Sequence, residues 1–357
     1  MSCIALAAAL AACGSTEASR TLSGHPSTTP PDTSGGDTAH AGTSSTMVGT
    51  SGSTSTPLSG GSTSGDNGDV AGGGSSQVAT GGSSSIAGSS SSGGSPPKPP
   101  QGFNTDGALL AATFDRSPLG SYSQAQAAKD FGADPPWNDG LSEGRATIVE
   151  GADAFDGRSL RVRYPAGGVG PSAGGIQFLV PLAGNHQELY CAYRIRFEGS
   201  FNFVKGGKIP GLSGGNHPTG CSGVPSGTDG FTARMMWREG GAAVQYVYYP
   251  DQAQMCGDDF PWNVGGTRAF RHGEWYSLEH HLLLNHGDQA DGLVEAWFDG
   301  ELALQRKNVR FRSVDTIPID SFYFSTFFGG SSSEWAPPED EYIDFDDVVV
   351  STKPITH

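Results

Sequence analysis

All 34 aromatic residues of this 357-residue chain, 18 Phe, 6 Trp and 10 Tyr, lie at or beyond Phe103. Nothing before Phe103 can build an ordinary aromatic-bearing core. Between Gly14 and Pro100, 63 of 87 residues are Gly, Ser, Thr or Pro. Such a stretch cannot bury enough apolar surface to offset the entropy of ordering it. Residues 14–102 therefore read as a disordered Gly/Ser/Thr/Pro-rich tether, and 103–357 as one large domain.

Ahead of the tether, Ile4 to Ala12 is an apolar run the length of a signal-peptide core, ending Leu10-Ala11-Ala12-Cys13-Gly14. The pattern resembles a bacterial lipobox, although no Lys or Arg precedes the apolar run. It makes 1–13 a lipoprotein signal peptide and Cys13 the lipidation site. The expected location is the bacterial cell envelope, as an outer-membrane lipoprotein, or the outside of the cell as a secreted protein. No run of 18 or more apolar residues occurs, so contact with a membrane is expected only through the N-terminal lipid.

The formal charge is −16. The tether holds five acids and two bases, which leaves −13 on the domain. Nucleic-acid affinity rests on clustered Lys and Arg, so no nucleic-acid partner is expected. The domain is expected to be a monomer.

Helical periodicity is nearly absent, with only Ser123–Asp130 reading as a short helix. The rest alternates in short runs: Ala146–Glu150, Ser159–Tyr164, Gly175–Val180, Glu188–Phe197, Gly230–Arg238, Val244–Tyr249, Trp275–Leu284, Gly292–Phe298, Glu301–Val309, Ser321–Phe328 and Tyr342–Val350. Many short strands at this spacing predict an all-β, antiparallel β-sandwich or jelly roll. Asp299-Gly300 between two runs is a hairpin signal. Cys191 falls on an apolar strand face, as a buried free thiol. Cys221 and Cys256 fall in Gly/Pro/Asp-rich loops, which suits a disulfide in an exported protein.

Two runs carry basic residues at i, i+2, Arg161/Arg163 and Arg194/Arg196, and each pair shares a strand face. Read functionally they form a cationic groove; read structurally, a solvated outer face. Phe203 to Leu212 sets Lys205 and Lys208 among glycines and reads as a loop. Next come Thr232–Arg238 and Val244–Tyr249, separated by Glu239-Gly240-Gly241 and two alanines. A three-residue loop there makes opposing residue numbers sum to 480. Arg234 then faces Tyr246 and Thr232 faces Tyr248, all on one face. The acidic clusters Glu339-Asp340-Glu341 and Asp344, Asp346 and Asp347 could hold calcium, but carboxylates at strand ends are more often solvated. No metal or other cofactor is assigned.

Phe203-Val204-Lys205-Gly206-Gly207-Lys208-Ile209-Pro210-Gly211-Leu212 resembles the KGGK-[LI]-PGL segment of polysaccharide lyase family 14. Thr232-x-Arg234-x-x-Trp237 with Tyr246-x-Tyr248 is similar to its [ST]-x-R-x-x-W and YxY strands. Ser325–Ser331 with Trp335-Ala336-Pro337 resembles its TFFGGS…WAP segment. The resemblance implies a β-jelly roll and an alginate or glucuronan lyase. It implies a catalytic Lys in the KGGK segment, with Lys208 favoured beside the Pro-Gly turn and Lys205 as a substrate contact. Arg234, Tyr246 and Tyr248 take the other catalytic positions. Thr232 stands where the family has Ser, and Trp335 is a further substrate contact.

The implied reaction is β-elimination on an anionic uronic-acid polysaccharide, giving 4,5-unsaturated oligosaccharides. Cations would stabilise the enediolate charge, as oxyanion sites do. Lys208 and Arg234 suit that task, and Tyr246 or Tyr248 would move protons, their phenols brought down by nearby cations. His280 or His281 is the competing base. Two other readings stand beside this one. One is a non-catalytic carbohydrate-binding lipoprotein. The other is a glycosidase built on paired carboxylates such as Glu279 and Glu295. For the N-terminus, mass spectrometry of the mature chain should find a lipidated Cys13; an unmodified terminus elsewhere would refute the anchor.

Overall fold

The computed structural model describes residues 102–355. The expected signal segment, Cys13 and the tether up to residue 101 lie outside the described residues. In chain order the first elements are β1 (Ala108–Ala112), β2 (Gly120–Ser121), α1 (Gln124–Phe131), β3 (Asn138–Asp139), β4 (Ala146–Glu150), β5 (Arg158–Tyr164), β6 (Ile176–His186), β7 (Glu188–Phe197) and β8 (Gly206–Gly215). They are followed by β9 (Gly230–Arg238), β10 (Ala243–Tyr248), β11 (Asp258–Pro261), β12 (Trp275–Leu283), β13 (Gly292–Phe298), β14 (Glu301–Val309), β15 (Ile319–Phe328) and β16 (Glu341–Ser351). Ser123 caps α1 through a reciprocal bond with Gln126, and Gly132 ends the helix in the left-handed region.

The strands form two antiparallel sheets. The nine-stranded sheet runs β14-β13-β12-β7-β16-β5-β4-β2, with β1 also paired to β16; the seven-stranded sheet runs β11-β10-β9-β8-β15-β6-β3. This is the sandwich that the alternation predicts. Between the layers Phe178 stacks on Phe324 at 5.0 Å, and Phe324 meets Phe345 of the opposite sheet at 5.1 Å. Tyr193 of β7 donates its hydroxyl to the Pro210 carbonyl across the interface at 3.1 Å. Each such ring removes apolar surface worth about 1.5–3 kcal/mol. Cys191 is buried and free, and Cys221 is bonded to Cys256. Asp299 and Gly300 both take positive φ, 52° and 79°, as the tight hairpin turn between β13 and β14 requires.

Two expectations are overturned. The segment read as a glycine loop is β8, the central strand of the seven-stranded sheet. Pro210 is tolerated because the pairing with β9 slips between Ile209 and Gly211, so the missing N–H falls at a bulge. Gly207 is required by close approach, since a β-carbon there would come within 2.2 Å of the Trp237 ring.

The second correction concerns the arginine pairs. Arg161, Arg163, Arg194 and Arg196 stand on β5 and β7, on the outer face of the nine-stranded sheet, and do not form a groove. Each faces a carboxylate. Arg161 and Arg196 converge on buried Asp344 at 2.8 and 2.7 Å. Arg194 lies 3.7 Å from Asp347 between the rings of Phe103 and Phe155, and Arg163 pairs with Asp340 at 3.2 Å. Arg161, Arg194 and Arg196 meet their counter-charge within the fold, and Arg163 meets its own at the surface. Removing a buried acid strands its cations, which typically costs about 3–5 kcal/mol. Asp344→Ala should therefore lower unfolding stability by about that amount in denaturant melts; a loss below ~1 kcal/mol would show that the cluster is solvent-relaxed.

Candidate active site

The outward face of the seven-stranded sheet is built by register. The tight turn at Glu239–Gly241, with Gly240 at φ 67°, sets Arg234 opposite Tyr246 and Thr232 opposite Tyr248. On the other side of β9, β8 brings Lys208 opposite Met236, and β15 brings Phe327 opposite Lys208. Directly paired residues share a face, so Lys208, Arg234, Tyr246 and Tyr248 converge. They line a groove of about 780 Å³. Its walls include Thr219–Cys221 and Met255–Gly257, which the disulfide joins, and residues of the segment 330–335, among them Trp335.

Lys208 and Arg234 are the unusual members. Their exposures are 9% and 1%. Neither makes an ion pair with a carboxylate among the described residues, although the same sheet face carries Asp259. That acid is taken by Arg238, in a two-pronged contact at 2.8 and 2.5 Å. Arg234 is held by one hydrogen bond to Ser325 Oγ at 3.0 Å and by the Tyr323 ring at 5.2 Å, and its Nε has no partner. Ser325 and Tyr323 both donate to Gln177 Oε1, at 3.4 and 3.2 Å, and Gln177 Nε2 is anchored on Asp139 at 2.7 Å. The guanidinium is thus oriented by neutral groups. A buried cation without a carboxylate is expensive to keep, and an incoming anion would relieve it.

Burial sets the protonation states. It pushes the Lys208 amine well below the ordinary lysine range, and the charges of Arg234 and Arg238 push it further. Lys208 Nζ sits 4.4 Å from the centre of the Tyr246 ring. Burial also raises the Tyr246 phenol above its ordinary value, helped by the hydrogen bond and charge of Tyr248, and the two arginines only partly oppose this. The expectation that cations bring this phenol down is therefore reversed, because burial outweighs them. Tyr248 accepts the Cys221 main-chain N–H at 3.1 Å and meets Tyr246 edge to face at 5.5 Å.

Other expected contacts fall elsewhere. Lys205 precedes β8 and pairs with Glu334 at 2.6 Å over a neighbouring cavity. Thr232 is buried, and its hydroxyl is spent on the Pro218 carbonyl at 3.0 Å. His280 is enclosed between the sheets, bonded to Gln245 at 3.1 Å and pushed down to about 3 by burial. His281 lies on the nine-stranded sheet between Glu188 and Glu295. Glu279 and Glu295 also belong to that sheet, so no glutamate pair meets in the groove. The described residues hold no group of three His, Cys, Asp or Glu side chains set to bind a metal. Gln177, Tyr323 and Ser325 were not foreseen as site residues. For Gln177 and Tyr323 the signal was polarity within otherwise apolar strands, and Ser325 opens the segment that resembles the family's TFFGGS motif.

The comparisons with known proteins agree with this fold. The family model described as Polysaccharide lyase 14 matches residues 152–348. The structure of alginate lyase Aly36B is similar at 28% identity and TM-score 0.59, covering 70% of this chain and 98% of that one. A variant of that enzyme, solved in complex with alginate tetrasaccharide, is similar at 27% identity and TM-score 0.59, over 70% and 98%. The PL-14 alginate lyase from Aplysia kurodai shares the fold at 24% identity and TM-score 0.57, over 69% and 99%. No curated protein matches.

A buried lysine with a lowered pKa makes a testable mark on stability. Between that lowered value and the ordinary ~10.4, the unfolded chain binds a proton that the folded chain refuses, so folding is penalised there. Lys208→Met should raise the melting temperature near neutral pH, and the gain should shrink as pH approaches ~10.4. A gain independent of pH, or a loss, would contradict this titration.

Proposed function

This chain belongs to polysaccharide lyase family 14 and is a polysaccharide lyase; from that premise we propose that it cleaves an anionic uronic-acid polymer, alginate or glucuronan, by β-elimination. The observation that carries the proposal is the buried Arg234 guanidinium, without a carboxylate of its own, beside the buried Lys208 amine. A uronate carboxylate is the charge that Arg234 lacks.

The proton on C5 of a uronate is very weakly acidic. Arg234, held by Ser325 and Tyr323, draws the carboxylate and stabilises the enediolate charge that develops there. Lys208, neutral through burial, takes the C5 proton as general base. The C4=C5 double bond forms as the C4–O4 bond breaks. Tyr246, whose phenol holds its proton above the ordinary range, gives it to the departing O4. That oxygen becomes the reducing end of the released chain. Tyr246 then regains a proton from solvent and Lys208 releases to solvent the one it took, while Tyr248, which accepts the Tyr246 hydrogen bond, holds the acid in place. Compared with the reading from the residues alone, Lys208 moves from charge neutraliser to base.

Base and acid rise from one groove floor, 4.4 Å apart by the amine-to-ring measure. They therefore address the same face of the sugar. In mannuronate and glucuronate the C5 hydrogen and O4 lie on one face of the ring, and in guluronate on opposite faces. The geometry supports mannuronate- or glucuronate-containing polymers over polyguluronate. The proposal extends to location: the Leu10–Cys13 pattern and the polar segment after it support attachment at the bacterial cell envelope.

Ultraviolet absorbance of the unsaturated product, followed on polymannuronate, glucuronan and polyguluronate, tests the reading. The first two should be cleaved and the third spared. Lys208→Ala and Tyr246→Phe should each lose about 10²–10⁴ in kcat. The rate should rise with pH through the region below ordinary lysine and hold past the ordinary tyrosine value of ~10. Near-full activity in both variants would remove these residues from the chemistry.

A further inference from the structure

The groove wall nearest Tyr248 is made of two loops with no strand partner at that point, and a covalent bond joins them. Cys221 occupies the left-handed region at φ 60°, where a side chain is costly. In that conformation its N–H is aimed at the Tyr248 hydroxyl, 3.1 Å away. Cys256 holds the sulfur of Cys221. Next to Cys256, Gly257 at φ 84° lies flat against the Tyr248 ring, where a β-carbon would come within 3.0 Å of two ring carbons. The bond therefore fixes both the donor above the Tyr248 oxygen and the wall against its ring. Lys208 and Arg234 are placed instead by β8 and β9, within the sheet.

We propose that the Cys221–Cys256 disulfide is a positioning device for the phenol pair, through the Cys221 N–H on Tyr248, so that turnover depends on its oxidised state while substrate binding does not. This rests on the roles given above to Tyr246 and Tyr248. The N–H occupies one acceptor site on the Tyr248 oxygen and holds that oxygen where it takes the Tyr246 hydrogen bond. Once the bond is reduced, nothing holds Cys221 in the left-handed region, and the donor leaves.

The experiment compares the full chain in its oxidised form, after reduction with dithiothreitol, and after reoxidation, together with the variant Cys221→Ser/Cys256→Ser. Each is also measured in the Tyr248→Phe background. Dithiothreitol takes the two sulfurs to thiols and is itself oxidised, so a thiol count verifies the state. Reduction and the double serine variant should each lower kcat on polymannuronate or glucuronan at least tenfold. KM, and Kd for a uronate trisaccharide, should change less than threefold, and reoxidation should restore kcat. In Tyr248→Phe, which has no hydroxyl to hold, reduction should change kcat less than twofold. An unchanged kcat on reduction overturns the inference. So does an equal loss in Tyr248→Phe, since the bond would then act only on the fold. If the oxidised chain cleaves no uronate polymer, the lyase reading itself falls; oxidised activity that survives reduction sinks this inference alone.

Discussion

A buried guanidinium is kept in the protein without an acid to answer it, beside an amine whose charge burial disfavours, and much of the groove is arranged around that fact. Lys208 and Arg234 are enclosed by their own sheet, and Asp259, the nearby carboxylate that could neutralise them, is claimed by Arg238. The groups that do touch Arg234 are a serine hydroxyl and a tyrosine ring, which orient the guanidinium and leave its charge unspent. A site of this kind is strained electrostatically when empty, and it is relieved only by an anion of the right shape.

The opposite sheet shows what the same residue types do when they are structural. There Arg161 and Arg196 share Asp344, and Arg194 faces Asp347 between two aromatic rings. Each guanidinium has its counter-charge inside the fold. An i, i+2 arginine pattern looks alike in both settings, because the deciding partner stands on another strand far away in sequence. Asp344 is 183 residues from Arg161.

That distinction marks how much could be read in advance. The register of β9 on β10 was legible because a three-residue turn with glycine fixes it, and Arg234 does face Tyr246. Strand alternation foretold the two-layer architecture. What escaped was β8, because its glycines and Pro210 serve close packing on Trp237 and a bulge, features that local propensity reads as loop. Protonation escaped as well. Cations near Tyr246 suggested an acidic phenol, and only the depth of burial reverses that. The hydrogen-bonded support of Arg234 by Ser325 and Gln177 depends on the order β9-β8-β15-β6, which no local pattern carries.

That order has its counterpart in the nine-stranded sheet, where β16, the latest strand in chain order, lies between β7 and β5 and also pairs with β1. The sheet's middle is therefore the last part to be synthesised. Ser159 and Asp346, 187 residues apart, must meet before that layer closes. Ordering so much intervening chain first makes folding slow. Until β16 arrives, β5 and β7 expose open edges, ready to pair with any extended segment. A chain with this topology cannot close that layer, or bury the core beneath it, until β16 has been made.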